Sequence, residues 1–193
     1  MNYTRSIEFA EQDDGFRVGD MITFSLTDGE TVEAMAVMPE PDGMIFCAVD
    51  CLEKEYPMMR RGNKGKTYEE SDLRKELNGE ILQRFPEDIR ARMIPFENGD
   101  LLRIPTEREI FGENEYGVNE PEAVAQWDVM KLRRNRIAFQ GHNGAWEWYW
   151  LQNHVRDVAS AALFAYVYGD GCASYSTASV SLGVRPAFKI SKS

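Results

Sequence analysis

From Trp146 to Ile190 the chain reads W-E-W-Y-W-L-Q-N, then an apolar run carrying tyrosines, then G-D-G, then S-L-G-V-R-P-A-F-K-I. This pattern leaves few options. Glu147 to Asn153 alternates around Trp148 and Trp150, so it predicts a strand with its indoles on one face. Ala161 to Tyr168 meets Cys172 to Thr177 across Gly169-Asp170-Gly171, which predicts a hairpin. Val184 to Ile190 adds a third apolar strand. Pro186 cannot donate a ladder hydrogen bond, which predicts a sheet edge or a bulge there.

The first third is also β-rich. Gly19-Asp20 turns into Met21 to Phe24. Thr27-Asp28-Gly29-Glu30 is a hairpin turn, because Asp-Gly tolerates positive φ. Thr31 to Met38 returns, and Pro39 to Gly43 turns again. Met44 to Leu52 is a near-continuous apolar run that predicts a buried strand, completing an antiparallel meander. Residues 1–15 are polar and read as an N-terminal arm, leaving 16–193 as a single domain.

Helices fill the middle. Ser71 predicts an N-cap, and Leu73, Leu77, Ile81 and Phe85 fall four apart on one face. Pro86-Glu87-Asp88 starts a second helix through Ile89 and Met93. Thr106-x-x-Glu109 predicts a capping box with Gly112 as the stop. Pro121 predicts a helix covering Ala123, Val124, Trp127, Met130 and Leu132. Strands at both ends with helices between them make an α+β pattern rather than alternating βαβ units.

Charge narrows the partners. The chain has 22 basic and 32 acidic residues, net −10, which argues against nucleic acid or an anionic membrane held by a broad field. No window approaches the roughly 18–20 apolar residues of a membrane span. The N-terminus has no basic start followed by an apolar block. Cys47, Cys51 and Cys172 are too few for a disulfide scaffold. A cytoplasmic compartment is expected, and a phage-encoded or prophage product would look the same.

Few constellations carry chemistry. Cys47-x-x-x-Cys51 lacks two further zinc ligands nearby, so core thiols are expected. His154 with Asp157 and Ser160 lacks a nucleophile elbow, and His154 is expected in a surface loop. Lys131, Arg133, Arg134 and Arg136 are expected at a helix C-terminus, where cations are favoured without a partner. Arg185 reads as structural, paired with a carboxylate or capping carbonyls. No residue set calls for a cofactor or a metal.

Three stretches carry a family resemblance. Tyr68-x-x-Ser71-x-Leu73-Arg74-x-x-Leu77-Asn78, Pro105-Thr106-x-x-Glu109 and Gly183-Val184-Arg185-Pro186-Ala187 resemble a bacterial domain family of unknown function. Trp150-Leu151-Gln152-Asn153 sits where that family has W-L-R-S, with Gln152 in place of the arginine. The resemblance implies a C-type-lectin-like domain, also similar to formylglycine-generating enzymes. Such a domain has a twisted antiparallel sheet flanked by helices, with its first and last strands near each other. It implies two precedents: a loop-rich binding surface near the last strands, and an oxidase using a cysteine pair, of which only Cys172 is present here. Glu120-Pro121-Glu122 superficially resembles a lectin calcium element, but no W-N-D triplet follows.

The leading expectation is a non-catalytic module that binds a protein or glycan. Its candidate surface is Trp146, Asn153, Arg156, Asp157, Tyr166, Tyr168, Asp170 and Tyr175. Tyrosine offers large contact area at low entropy cost, and the polar residues add adaptable hydrogen bonds. Tyr166 and Tyr168 share a face, so both are expected in or both out. The alternatives are a phage-particle component, forming a homo-oligomer, and a degenerate oxidase using Cys172.

Overall fold

The computed structural model describes residues 15–63, 67–118, 124–155 and 163–192. Residues 1–14, Lys64 to Lys66, Glu120-Pro121-Glu122, Arg156, Asp157 and Ser160 lie outside the described residues.

The meander forms as expected. β1 (Met21–Ser25) pairs antiparallel with β2 (Thr31–Pro39) through the Asp28-Gly29 turn, where Gly29 has φ 94°. β2 pairs with β3 (Gly43–Ala48) across a register shift between Ala36 and Met38. All six residues of β3 are buried. Its alternate side chains enter different cores: Met44, Phe46 and Ala48 on one face, Ile45 and Cys47 on the other. A strand covered on both faces needs no polar alternation. The strand is shorter than the apolar run. It ends at Ala48, and Cys51 makes an isolated bridge to Gln140 instead.

β4 (Tyr56–Pro57) leads into the helices. Ser71 caps α1 (Asp72–Glu76) by accepting the Arg74 N–H. The helix runs through a π-helical turn, Leu77–Ile81, into α2 (Leu82–Arg84), and α3 (Glu87–Arg92) follows. Leu73, Leu77, Ile81 and Phe85 are fully buried in the core with Phe46 and Phe188. β5 (Met93–Ile94) and α4 (Glu107–Phe111) come next. α4 has the full capping box and ends at Gly112 in the left-handed conformation. The helix expected after Pro121 is absent from its described part. Two 3-10 turns, Asp128–Lys131 and Arg133–Arg136, stand there. Trp127 and Met130 are buried and Leu132 is exposed. The i, i+3 spacing of the buried pair suits a 3-10 turn as well as an α-helix.

β6 (Ala138–Phe139) pairs with β7 (Trp146–Glu147). β8 (Tyr149–His154), β9 (Leu163–Val167) and β10 (Ala173–Thr177) form a three-stranded antiparallel sheet in the order β10-β9-β8. β11 (Ser181–Leu182) pairs with β4, and β12 (Ala187–Ser191) enters the main sheet. That sheet runs β1-β2-β3-β12-β5, antiparallel throughout. The last strand is therefore interior, with β2 and β3 between it and β1. Pro186 sits just before the ladder, not at an edge, and its carbonyl accepts the Ala48 N–H at 2.9 Å.

The mixed α+β architecture thus has two apolar cores. Trp150, Phe164, Tyr166 and Phe188 belong to the first, and Tyr149, Leu151, Ala165, Val167 and Ala187 to the second. Among the described residues no helix is long and apolar enough to cross a membrane.

Candidate functional site

Most polar residues of the recognisable motifs are occupied by the fold itself. Arg74 forks onto Asp100 at 2.7 and 2.9 Å. Asn78 donates to the Leu102 carbonyl and accepts the N–H groups of Leu101 and Leu102. Arg103 makes a buried two-pronged pair with Glu109, at 2.7 and 2.5 Å. Gln152 holds the Ile104 carbonyl at 2.6 Å. Arg185 is buried and donates to the carbonyls of Ala48 and Asn135 and to the Tyr149 hydroxyl. It therefore caps carbonyls, and none of these partners is a carboxylate.

Burial opposes the Arg185 charge, but Tyr149, Cys47 and Cys51 favour it and the net shift is upward. The Tyr149 hydroxyl is pushed up to about 12 by burial, against the pull of Arg185. Burial likewise raises Cys47 and Cys51, which rest in the second core as inert thiols.

The hairpin behind the expected surface forms in the register the glycine turn implies. Tyr166 stands opposite Ser174 and Tyr175 opposite Ala165. Directly opposed residues share a face, and neighbours along a strand alternate. Tyr175 therefore lies on the sheet face opposite to Tyr166. It is 47% exposed and meets Tyr116 at 5.1 Å between ring centroids.

Asn153 is buried and accepts the Glu107 N–H at 2.7 Å. Glu107 in turn accepts the N–H groups of Tyr116 and Gly117. Gly117 packs so closely on Asn153 and Glu107 that a Cβ there would collide with both. Burial raises the Glu107 carboxyl above its ordinary value, against those backbone donors. Asp170 lies at the hairpin tip, exposed, bridged to Arg133 at 2.8 Å and accepting the Cys172 N–H. Arg136 and Lys131 are tied to the Met130 carbonyl and to Asp128. His154 lies on β8 rather than in a loop, with its ring 6.5 Å from Phe164.

Among the described residues, one tier of rings runs from the core out to solvent. Trp146, 52% exposed, stacks on Trp148 at 6.2 Å, and Trp148 stacks on Tyr166 at 5.5 Å. Tyr168, 40% exposed, meets Trp148 at 4.8 Å and Trp146 at 6.3 Å. Trp150, fully buried, closes the inner end edge-on to Tyr166 at 6.3 Å. Tyr166 and Tyr168 do share a face, but the tier rises from core to solvent, so one is in and the other is out. Gly169 makes room: a Cβ there would strike the Trp146 indole. Phe139, 44% exposed, stands directly opposite Trp146 on β6. The indole N–H of Trp148 is buried and, among the described residues, meets no acceptor.

Phe139 beside the tier, and Tyr116 against Tyr175 on the other face, are the aromatic residues that the sequence-based expectations left out. The short turn from Gln140 to Ala145 was a signal for Phe139, because it folds β6 back on β7. Nothing local pointed to Tyr116, which is placed by Glu107 from nine residues away.

Beside the tier, the Glu147 carboxyl accepts the Trp148 N–H at 2.7 Å. Burial raises it, less so its contact with Glu55. Elsewhere a small hollow, too tight for more than a water-sized group, is lined by Thr31, Val32, Glu33, Asp50, Cys51, Leu52 and His142. Among the described residues no three His, Cys, Asp or Glu side chains gather as a metal-binding group.

No curated protein and no solved structure matches the chain. One family model does, over residues 42–192. That span takes in the S-x-L-R-x-x-L-N helix, the capping box, the ring tier and the closing G-V-R-P-A strand. The chain belongs to the family described as domain of unknown function (DUF6273).

Proposed function

We propose that this domain is a non-catalytic binding module whose protein or glycan ligand docks on the ring tier at Trp146 and Tyr168. The observation that carries the reading is the exposure of two large aromatic side chains on a stack anchored in the core. Such rings are held at little entropic cost and present area on which a ligand can stack. Within the candidate surface, Trp146, Tyr168 and Asp170 lie near the hairpin tip and Tyr166 supports the two rings from below, whereas Asn153 is buried against Glu107 away from them. Tyr175 with Tyr116 offers a separate patch on the other face. The C-type-lectin-like likeness of the motifs supports a binding surface near the last strands.

The test is tryptophan fluorescence quenching by acrylamide during titration with glycan and peptide panels. A ligand is expected to shield Trp146, and Trp146→Ala is expected to weaken binding by about tenfold or more, the loss of a central aromatic anchor. A ligand that binds Trp146→Ala and Tyr168→Ala as well as the parent protein would remove the tier from the reading.

A phage-particle component is the second reading. Phe139 beside Trp146, both exposed, favours it, because apolar residues in a contiguous exposed patch mark interfaces. It requires a stable oligomer burying more than about 1,000 Å², which sedimentation detects.

A further inference from the structure

The protein puts cations on many of its own rings. Lys54 lies over Tyr56 at 4.6 Å, Arg92 over Phe16 at 5.8 Å, Arg136 over Phe111 at 5.1 Å and Arg185 over Tyr149 at 4.9 Å. Arg103 covers Phe96 and Trp127, and Lys189 reaches Phe96 as well. Among the described residues, no lysine or arginine stands over Trp146, Trp148, Tyr166 or Tyr168. Trp146, the most exposed indole at 52%, thus carries no cation of the protein's own. Trp is the strongest ring for a cation, and Tyr168 stands within 6.3 Å of it.

Charge points the same way. Glu147 lies in sequence between Trp146 and Trp148, and its carboxyl is folded back onto the Trp148 N–H beside Glu55. Among the described residues neither Glu55 nor Glu147 is in an ion pair. These adjoining carboxyls, on a chain of net charge −10, favour a cation at this end of the sheet, where Arg133 is already paired with Asp170.

We propose that the tier takes an arginine side chain from a basic segment of a partner protein, its guanidinium stacked on Trp146 and Tyr168 in the field of Glu55 and Glu147. The proposal rests on the binding-module reading and narrows its ligand. Guanidinium is preferred to ammonium because it is planar, weakly hydrated and stacks on indole. The carboxyls act through the field rather than by direct pairing, because Glu147 alternates with the two tryptophans along the strand.

The experiment compares a short capped Arg-Gly peptide with its citrulline counterpart, which keeps the shape and loses the charge. Binding is followed by tryptophan fluorescence at low salt, with a neutral glycan panel alongside. The arginine peptide is expected to bind about tenfold more tightly than the citrulline one. Binding is expected to vanish in Trp146→Ala and to weaken several-fold in the Glu55→Gln, Glu147→Gln double variant. Near-UV circular dichroism checks that each variant is folded. Equal affinity for both peptides overturns the inference. If neither peptide binds but a glycan shields Trp146, the inference falls and the binding module stands. If nothing in either set binds, both fall.

Discussion

Arg185 keeps its charge among carbonyl oxygens and a hydroxyl rather than beside a carboxylate. Removing it strands two buried acceptors and a part-buried one. Arg185→Ala is expected to cost about 3 kcal/mol or more, and Arg185→Lys about 2 kcal/mol, because an ammonium lacks the planar fork. Urea denaturation measures both, and a lysine variant as stable as the parent would show that charge alone suffices. Glu107 gives a pH signature. Its folded value is raised by burial above 4.5. The protonated form is thus favoured by folding, and Glu107's contribution is full below 4.5 and declines as pH rises through the folded value. Amide shifts of Tyr116 and Gly117 are expected to titrate with a midpoint above 4.5. Stability of Glu107→Gln is expected to lack the matching fall. A midpoint below that value would mean the backbone donors outweigh burial.

Single elements show why some of the fold was legible and some was not. The Asp28-Gly29 and Gly169-Asp170-Gly171 hairpins and the Ser71 and Thr106 caps form as expected, because each depends on residues within a few positions. The helix expected after Pro121 failed because an i, i+3 pair of apolar residues does not distinguish two kinds of helical turn. The separation of Tyr175 from Tyr166 was implicit in the hairpin register, which the patch reading did not apply. Asn78 illustrates a motif residue that acts across elements. Asn78→Ala is expected to cost about 2–3 kcal/mol, since it leaves buried backbone groups of the Leu101-Leu102 segment without partners; thermal unfolding checks it. Gly169→Ala tests the tier. The added methyl displaces the Trp146 indole, so the near-UV dichroism of the stacked tryptophans is expected to change while far-UV dichroism stays. An unchanged near-UV spectrum would show that Trp146 is not seated on that glycine.

At the scale of the molecule, the central strands β3 and β12 are enclosed by apolar cores on both faces, and the thiols report on them. Cys172 is exposed, whereas Cys47 and Cys51 are buried. A thiol reagent is expected to modify one cysteine at once and the other two only at the rate of global unfolding. Early reaction of Cys47 or Cys51 would reveal local opening of the second core. The interior place of β12 was not legible, because strand order depends on pairings between distant residues. Its neighbour β3 is made early and β12 late, with well over a hundred residues between them. A growing chain on the ribosome therefore carries a hydrophobic strand with one bare edge through most of its synthesis. Until Ala187 to Ser191 emerge, that edge is the place where a chaperone, or a neighbouring nascent chain, is most able to intervene.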